Sequence, residues 1–190
     1  MYLRIFLSLL TIGLLHVQAS AQNEFPKGFS KGSITINNQV KTGFVKADFK
    51  STGCIEFIEE GAKKKTKLSG MDLERFEIDS NQYISIKGDI FKVISGGNLS
   101  LLQKQTQVAG KPYYNGLETV MMEGADGKAG DYFLFLGKQK KLKLVSTKNS
   151  AQVITEMFAG NNAAIESAGH VEGEWEQLKE AVAIYNRENN

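Results

Sequence analysis

Cysteine and histidine are scarce in this sequence of 190 residues, which contains one cysteine, Cys54, and two histidines, His16 and His170. A single cysteine cannot form a disulfide within the chain. Zinc sites are built from several cysteine and histidine ligands, so the composition excludes that class of site. We expect no metal and no cofactor, and we interpret Cys54 as a buried structural thiol in a strand.

The sequence also lacks an excess of charge of one sign. It has 23 lysines and arginines against 21 acidic residues, a formal net charge of +2. Nucleic-acid binding requires a strongly basic surface, so we expect no nucleic-acid partner. His170 stands in a Gly-His-Val turn, where exposure to solvent or capping of a following helix explains it without catalysis.

An apolar segment follows the first charged residue. Arg4 precedes the apolar run 5–15, and small residues ending at Ala21 come next. This order is typical of a cleavable secretory signal peptide. Because the run is shorter than the roughly 20 residues that span a bilayer, we expect no transmembrane anchor after cleavage. We predict a signal peptide over 1–21, cleavage between Ala21 and Gln22, and a soluble periplasmic or secreted protein.

The remainder of the chain fits one domain in three parts. Residues 22–31 are polar and predict a flexible lead-in. Residues 32–147 show the polar and apolar alternation of strands, which predicts a β-rich body. In residues 148–190 the apolar residues change to helical spacing, which predicts a helical segment packed on that body.

Turn residues divide the β-rich body into short strands. The predicted strands are 33–36, 40–45, 54–58, 66–68, 76–78, 83–86, 90–94, 99–102, 132–136 and 142–145. The Ser-x-x-Asp spacing of Ser69 and Asp72 predicts a short helical turn. The predicted fold class is therefore α+β and mainly β, an antiparallel meander that curls into a roll or open barrel with C-terminal helices packed on it.

A glycine-rich segment, 107–130, separates the last two predicted strands from the others. Its length and composition predict a mobile loop. It contains the adjacent residues Tyr113 and Tyr114, which would supply contact area to a ligand or partner if exposed. The alternative is an extra hairpin or helical turn in which the tyrosines pack locally, formed around Leu117, Val120 and Met121.

Acidic and basic residues suggest two further kinds of site. The acidic residues are Glu56, Glu59, Glu60, Asp72, Glu74 and Glu77. Two of these, paired across a cleft, could hydrolyse a glycan, although solvated strand faces also explain them.

Lysines cluster at 63–67 and 138–143, where they keep turns soluble and protect sheet edges. If the clusters converged, they could bind anionic polysaccharide or lipid headgroups. Residues 126–131 lack the regularly spaced oxygen ligands of a calcium loop, and we interpret them as a turn.

Short motifs distributed along the chain support a resemblance. They are Lys31-Gly32-Ser33-Ile34-Thr35 with Gly43-Phe44-Val45, Phe91-Lys92-Val93-Ile94 with Gly97-Asn98-Leu99-Ser100-Leu101, and Ala181-Val182-Ala183-Ile184-Tyr185-Asn186. The sequence resembles a group of uncharacterised exported proteins common in Bacteroidota over nearly all of the mature chain. The resemblance implies export and a β-rich body followed by a helical tail that closes in Tyr-Asn. It implies no activity, cofactor or catalytic residue.

Three functions from different classes are compatible with these patterns. We expect a non-enzymatic binding or envelope-associated module that contacts an unknown envelope protein, glycan or lipid. A glycan hydrolase acting through carboxylates is the first alternative. The second is a carrier of a small apolar ligand, which would need a barrel cavity instead of a filled core. Residues expected to line such a cavity are Phe57, Phe91, Leu101 and Phe133.

Overall fold

The computed structural model describes residues 26–49, 52–169 and 175–189. The strands are β1 (Ser30–Ile36), β2 (Gln39–Asp48), β3 (Cys54–Glu59), β4 (Lys65–Ser69), β5 (Arg75–Ile78), β6 (Asn81–Ile86), β7 (Asp89–Ser95), β8 (Leu99–Lys104), β9 (Pro112–Tyr114), β10 (Thr119–Met121), β11 (Tyr132–Leu136) and β12 (Lys141–Val145). The α-helices are α1 (Ser150–Met157), α2 (Asn162–Ala168) and α3 (Trp175–Glu188). The predicted signal peptide, its cleavage site between Ala21 and Gln22, and His170 lie outside the described residues.

Ten strands form one antiparallel sheet in the order β12-β11-β8-β7-β6-β5-β1-β2-β3-β4. Neighbours in the sheet are mostly neighbours in sequence, as in a meander. Two connections depart from that pattern. The chain returns from the edge strand β4 and places β5 beside β1. It also leaves the sheet after β8 to form β9 and β10, and then places β11 beside β8. The sheet curls without closing. The predicted class, a mainly β roll with C-terminal helices, is confirmed.

Local sequence explains why the first hairpin turns where it does. Asn37 and Asn38 adopt φ values of 51° and 60°, which asparagine tolerates and which match the twist of a two-residue hairpin turn. Ile36 pairs directly with Gln39 across this turn. The Glu74 carboxylate then accepts a hydrogen bond from the Asn38 N–H at 2.9 Å, which ties the turn to the chain that enters β5.

One face of the sheet carries two hydrophobic clusters. Where strands β1 to β6 curl, the first cluster is built on the buried side chains of Ile34, Phe57 and Phe76. Along β8, β11 and β12 the second is built on Leu101 and Leu134, and helices α1 to α3 cover it. Helix α3 contributes the fully buried side chains Leu178, Ala181 and Val182. The apolar helical stripes in the sequence therefore pack on the sheet, as predicted.

The opposite face carries a third cluster. Phe91 and Phe133 meet edge to face, with ring centroids 5.2 Å apart, and both are buried. Leu102 and Ala125 complete the cluster, and Ala125 belongs to the glycine-rich segment 107–130. That segment therefore supplies part of the cover for this face.

Three local predictions are wrong. Ser69 to Asp72 forms a β-turn and not a helical turn, since the chain turns directly after β4 and the Asp72 N–H bonds the Ser69 carbonyl. The lead-in ends earlier than expected, because Ser30 already pairs with Val45 in β1. Cys54 is only half-buried, because it stands at the first position of β3 and not within it.

Candidate binding surface

The segment 107–130 forms a second, two-stranded sheet. Strand β9 pairs with β10, with Tyr113 opposite Val120 and Tyr114 opposite Thr119. The alternative of an extra hairpin is therefore the one that the structure contains. Opposed residues share a face of a hairpin and successive residues alternate between faces. Tyr113 and Val120 consequently lie on one face, and Tyr114 and Met121 on the other.

Tyr113 anchors the inner face of the hairpin to the main sheet. Its hydroxyl donates a hydrogen bond to the Asp72 carboxylate at 2.6 Å. Asp72 is held in turn by the Ser69 N–H at 2.8 Å and the Ser69 hydroxyl at 2.6 Å. The hydrogen bond to Asp72, followed by burial and by the negative charge of Asp72, raises the pKa of Tyr113 above its ordinary value. Tyr113 is therefore a structural contact, and the sequence did not show this role.

The base of the hairpin rests on the turn before β7. Gly88 has φ of 83°, and a Cβ atom added there would lie 2.9 Å from the Met71 sulfur and 3.3 Å from the Met122 sulfur. Glycine is needed at this position both for its backbone conformation and for the close approach of the two methionines. The hairpin therefore contacts the rest of the protein at two places, Asp72 and Gly88.

The outer face and tip of the hairpin are apolar and exposed. Tyr114 is 64% exposed, Met121 is 64% exposed and Leu117, at the tip, is 91% exposed. We call these three residues the hairpin surface. The tip is ordered by hydrogen bonds, because the Asn115 side chain accepts from the N–H groups of Leu117 and Glu118, both at 2.9 Å.

A buried ion pair lies behind the hairpin. The Lys104 ammonium is 3.0 Å from the Asp89 carboxylate, and both side chains are fully buried. Lys104 also donates to three consecutive carbonyls, those of Ala125 at 2.6 Å, Asp126 at 3.3 Å and Gly127 at 3.1 Å. The turn at 126–131 therefore presents its oxygens to a lysine ammonium.

Asp89 ties both ends of the same segment to the sheet. One carboxylate oxygen accepts from the Thr106 hydroxyl at 2.8 Å and from the Val108 N–H at 3.1 Å. The other accepts from the Ala125 N–H at 2.8 Å. Every charge and polar partner of the pair is satisfied, as a buried ion pair requires. The sequence did not predict this pair, for which a lysine at the end of an apolar strand was the one available signal.

Four more of the acidic residues that the sequence suggested as catalytic candidates form structural contacts. Glu56 and Glu59 pair with Lys46 and Lys41 at 3.6 and 3.0 Å, on neighbouring strands. Glu60 accepts from the Thr42 hydroxyl at 3.3 Å, and Glu74 bonds the β1–β2 turn as described above. Within the described ranges, no group of three or more histidine, cysteine, aspartate or glutamate residues could hold a metal ion.

The two lysine clusters lie on opposite edges of the sheet. Residues 63–67 lead into and form part of the edge strand β4, whereas 138–143 lead into the other edge strand, β12. On β12 the Glu156 carboxylate of α1 lies 3.0 Å from Lys141 and 3.1 Å from Lys143. The clusters are therefore not brought together into one basic surface.

The residues expected to line a carrier cavity lie in three different clusters. Phe57 belongs to the core of the curled strands, Leu101 to the core under the helices, and Phe91 and Phe133 to the opposite face of the sheet. The structure does not bring these four side chains around one space.

One sequence pattern at the start of β1 has the spacing of a catalytic motif. Gly28-Phe29-Ser30-Lys31-Gly32 has the letters of a nucleophile elbow, Gly-x-Ser-x-Gly. That elbow needs a strand before the serine and a helix after it. Here Ser30 is the first residue of β1, so the serine is presented along a sheet and not at a strand-to-helix turn.

Comparisons with known proteins place this chain in no group. No protein-family model, curated protein or solved structure matches it. Among the residues that the structure describes, no helix combines the length and apolar character needed to cross a membrane.

Proposed function

We propose that the chain is an exported, non-enzymatic binding module that contacts a protein partner through the hairpin surface. The observation that carries the proposal is the clustering of exposed apolar side chains. Of five large hydrophobic residues that are exposed among the described residues, Tyr114, Leu117 and Met121 lie on this one hairpin. A contiguous exposed apolar patch on a small protein is characteristic of an interaction site.

The chemistry of the hairpin surface favours a protein over a glycan or an anionic lipid. Tyr114 and Met121 belong to the residue types enriched at protein–protein interfaces, and Leu117 adds exposed aliphatic surface beside them. The segment 107–130 contains two lysines against three acidic residues, Glu118, Glu123 and Asp126. A surface without excess positive charge gains no electrostatic attraction to anionic headgroups or polysaccharides.

The way the hairpin is anchored also supports a binding role. Tyr113 and the Asp89–Lys104 pair hold the hairpin in one position before any partner arrives. A preorganised surface loses less conformational entropy on binding, which leaves more of the contact energy as affinity. Export is supported by the order of basic, apolar and small residues at 1–21.

The proposal is tested by photo-crosslinking in the cells that produce the protein. A photoreactive amino acid is placed at position 117, at position 121 or, as a control, at position 40. Val40 is the matched control because it is apolar, 68% exposed and located on β2 of the main sheet. We expect positions 117 and 121 to form a covalent adduct with the same protein, and position 40 not to do so.

Binding of that purified protein then completes the test. The double variant Leu117→Ser and Met121→Ser should lower its affinity at least tenfold, since removal of interface anchors typically costs that much. The unfolding midpoint should not change, because both side chains are exposed, and Val40→Ser should change neither quantity. Adducts with lipid or glycan alone, or equal adducts from position 40, would contradict the proposal.

A further inference from the structure

A concavity opens at the end of the roll where β1 turns into β2 and β3 turns into β4. Its volume is about 280 Å³, and its lining comes from four adjacent strands and their turns. We call it the roll mouth, and define it by Ile36, Phe57, Leu68, Lys41 and Lys64. The sequence pointed to three of its residues, each as part of a different kind of site: Phe57 in a carrier cavity, Glu59 among the carboxylates, and Lys64 in the lysine cluster at 63–67.

Polarity changes with depth in the roll mouth. Phe57 and Leu68 form the floor, with 4% and 8% of their surfaces exposed, and Ile36 is half-buried above them. Lys41, Glu59 and Lys64 surround the opening. The site therefore offers apolar surface at the bottom and charged groups at the rim.

The rim carries one uncompensated positive charge. Lys41 is paired with Glu59, with 3.0 Å between the ammonium and the carboxylate. Lys64 is exposed and forms no ion pair with any residue in the described ranges. An anionic group at the rim could therefore contact the Lys64 ammonium while an attached chain covers the apolar floor.

We propose that the roll mouth binds a single-chain anionic amphiphile, with its headgroup at Lys64 and its chain on Ile36, Phe57 and Leu68. The volume is at the lower limit of ordinary ligand sites, which suits one short chain and not a two-chain lipid. Of the two lysines that line the site, only Lys64 has no ion-pair partner among the described residues, which suits one negative charge. This site is separate from the hairpin surface, because Tyr113 is anchored near Ser69, at the other end of β4.

The test uses straight-chain carboxylates as probes and the protein as purified from the producing cells. Hexanoate, octanoate, decanoate and decanol are titrated while the methyl NMR signals of Ile36 and Leu68 are followed. We expect affinity to rise roughly fourfold for each added methylene, since each CH₂ leaves water for the apolar floor. Decanoate should bind more tightly than decanol, because only the carboxylate contacts Lys64.

Two variants separate the headgroup from the chain. Lys64→Gln should reduce decanoate affinity to that of decanol and leave decanol unchanged, and Ile36→Thr should weaken both probes. Lys138→Gln is the matched control, because Lys138 is also exposed but lies near the opposite edge of the sheet. The proposal is overturned if decanoate and decanol bind equally to the unaltered protein, if the shifted signals lie elsewhere, or if no probe binds.

Discussion

The side-chain amide of Asn186 in α3 forms hydrogen bonds with both backbone groups of Leu99 at the start of β8. Its oxygen accepts from the Leu99 N–H at 2.9 Å, and its nitrogen donates to the Leu99 carbonyl at 2.8 Å. The β7–β8 ladder ends at the pair of Ser95 and Leu101, so Leu99 has no partner on β7. Asn186 takes that place and joins the last helix to the sheet.

Replacement of Asn186 by alanine should destabilise the protein by about 2 kcal/mol, because two buried backbone groups of Leu99 lose their partner. The free energy of unfolding is measured by urea denaturation. Asn189→Ala is the control one residue beyond the same helix, and it should cost less than about 0.5 kcal/mol because Asn189 is exposed and its side-chain hydrogen bond to the Tyr185 carbonyl is also exposed. Equal losses for the two variants would show that the contact with Leu99 contributes nothing specific.

Gly97 provides a second check on the same contact. A Cβ atom at this position would overlap the Asn186 side-chain amide, and Gly97 has φ of 151°. Gly97→Ala should therefore displace the amide as well as strain the backbone. Its cost should be smaller in the Asn186→Ala background, where the clash is absent. An unchanged cost would assign the whole effect to backbone conformation.

The buried pair of Asp89 and Lys104 should show strong energetic coupling. Lys104→Met leaves the Asp89 carboxylate buried without a counter-charge, which should cost about 3–5 kcal/mol. The double variant Asp89→Leu and Lys104→Met should cost less than the sum of the two single variants, because neither charge then remains alone. Urea denaturation of the three variants measures this coupling, and additive losses would contradict it.

Many elements of the fold could be predicted from local sequence patterns. Asn37 and Asn38 identify a hairpin turn because few residues tolerate positive φ, and Gly97 identifies another for the same reason. The change from alternation to helical spacing after Thr147 marks α1 because the two periods differ. Such signals depend on residues that are adjacent in the chain, so the amino-acid sequence is sufficient to identify them.

The arrangement of the candidate binding surface depends on contacts between residues that are far apart in the sequence. Tyr113 and Asp72 are 41 positions apart, and Asp89 is 36 positions from Ala125. No local sequence pattern indicates which acidic residue a given tyrosine or lysine will contact in the folded protein. Tyr113 and Tyr114 were therefore treated as equivalent, although strand alternation in the hairpin makes one an anchor and leaves the other exposed.

Glu156 should stabilise the contact between α1 and β12 in a manner that depends on pH and salt. Its hydrogen bonds with Lys141 and then Lys143 hold its pKa below the ordinary value. A depressed folded-state pKa means that the stabilisation is present above the unfolded pKa of 4.5 and is lost as pH falls through the folded-state value. Glu156→Gln should therefore slightly lower Tm at pH 7 but not in strong acid or at high salt.

Glu166→Gln is the matched control for that measurement. Glu166 is on α2 and exposed, and its carboxylate forms no ion pair with a residue in the described ranges. The Tm of this variant should follow that of the unaltered protein at every pH. If the Tm of Glu156→Gln also follows that of the unaltered protein at every pH, the contact of Glu156 with the two lysines does not contribute measurably to stability.

Tyr113 gives a prediction at the alkaline end of the pH range. The hydrogen bond to Asp72 raises the pKa of Tyr113 above 10.0, so the contribution of this contact to stability is fully present below about pH 10 and is lost as pH rises through the folded-state pKa. A spectrophotometric titration of the tyrosines should therefore show a phenol that ionises late, and Tyr113→Phe should remove it. Tyr114→Phe should leave it in place.

Burial, with a smaller effect of Asp79, also raises the pKa of Tyr83, so one late-ionising phenol should persist in the Tyr113→Phe variant. If Tyr113→Phe instead removed a phenol that ionises in the ordinary range, the hairpin would not be anchored at Asp72 in solution, and the preorganisation of the hairpin surface would then lose its main support.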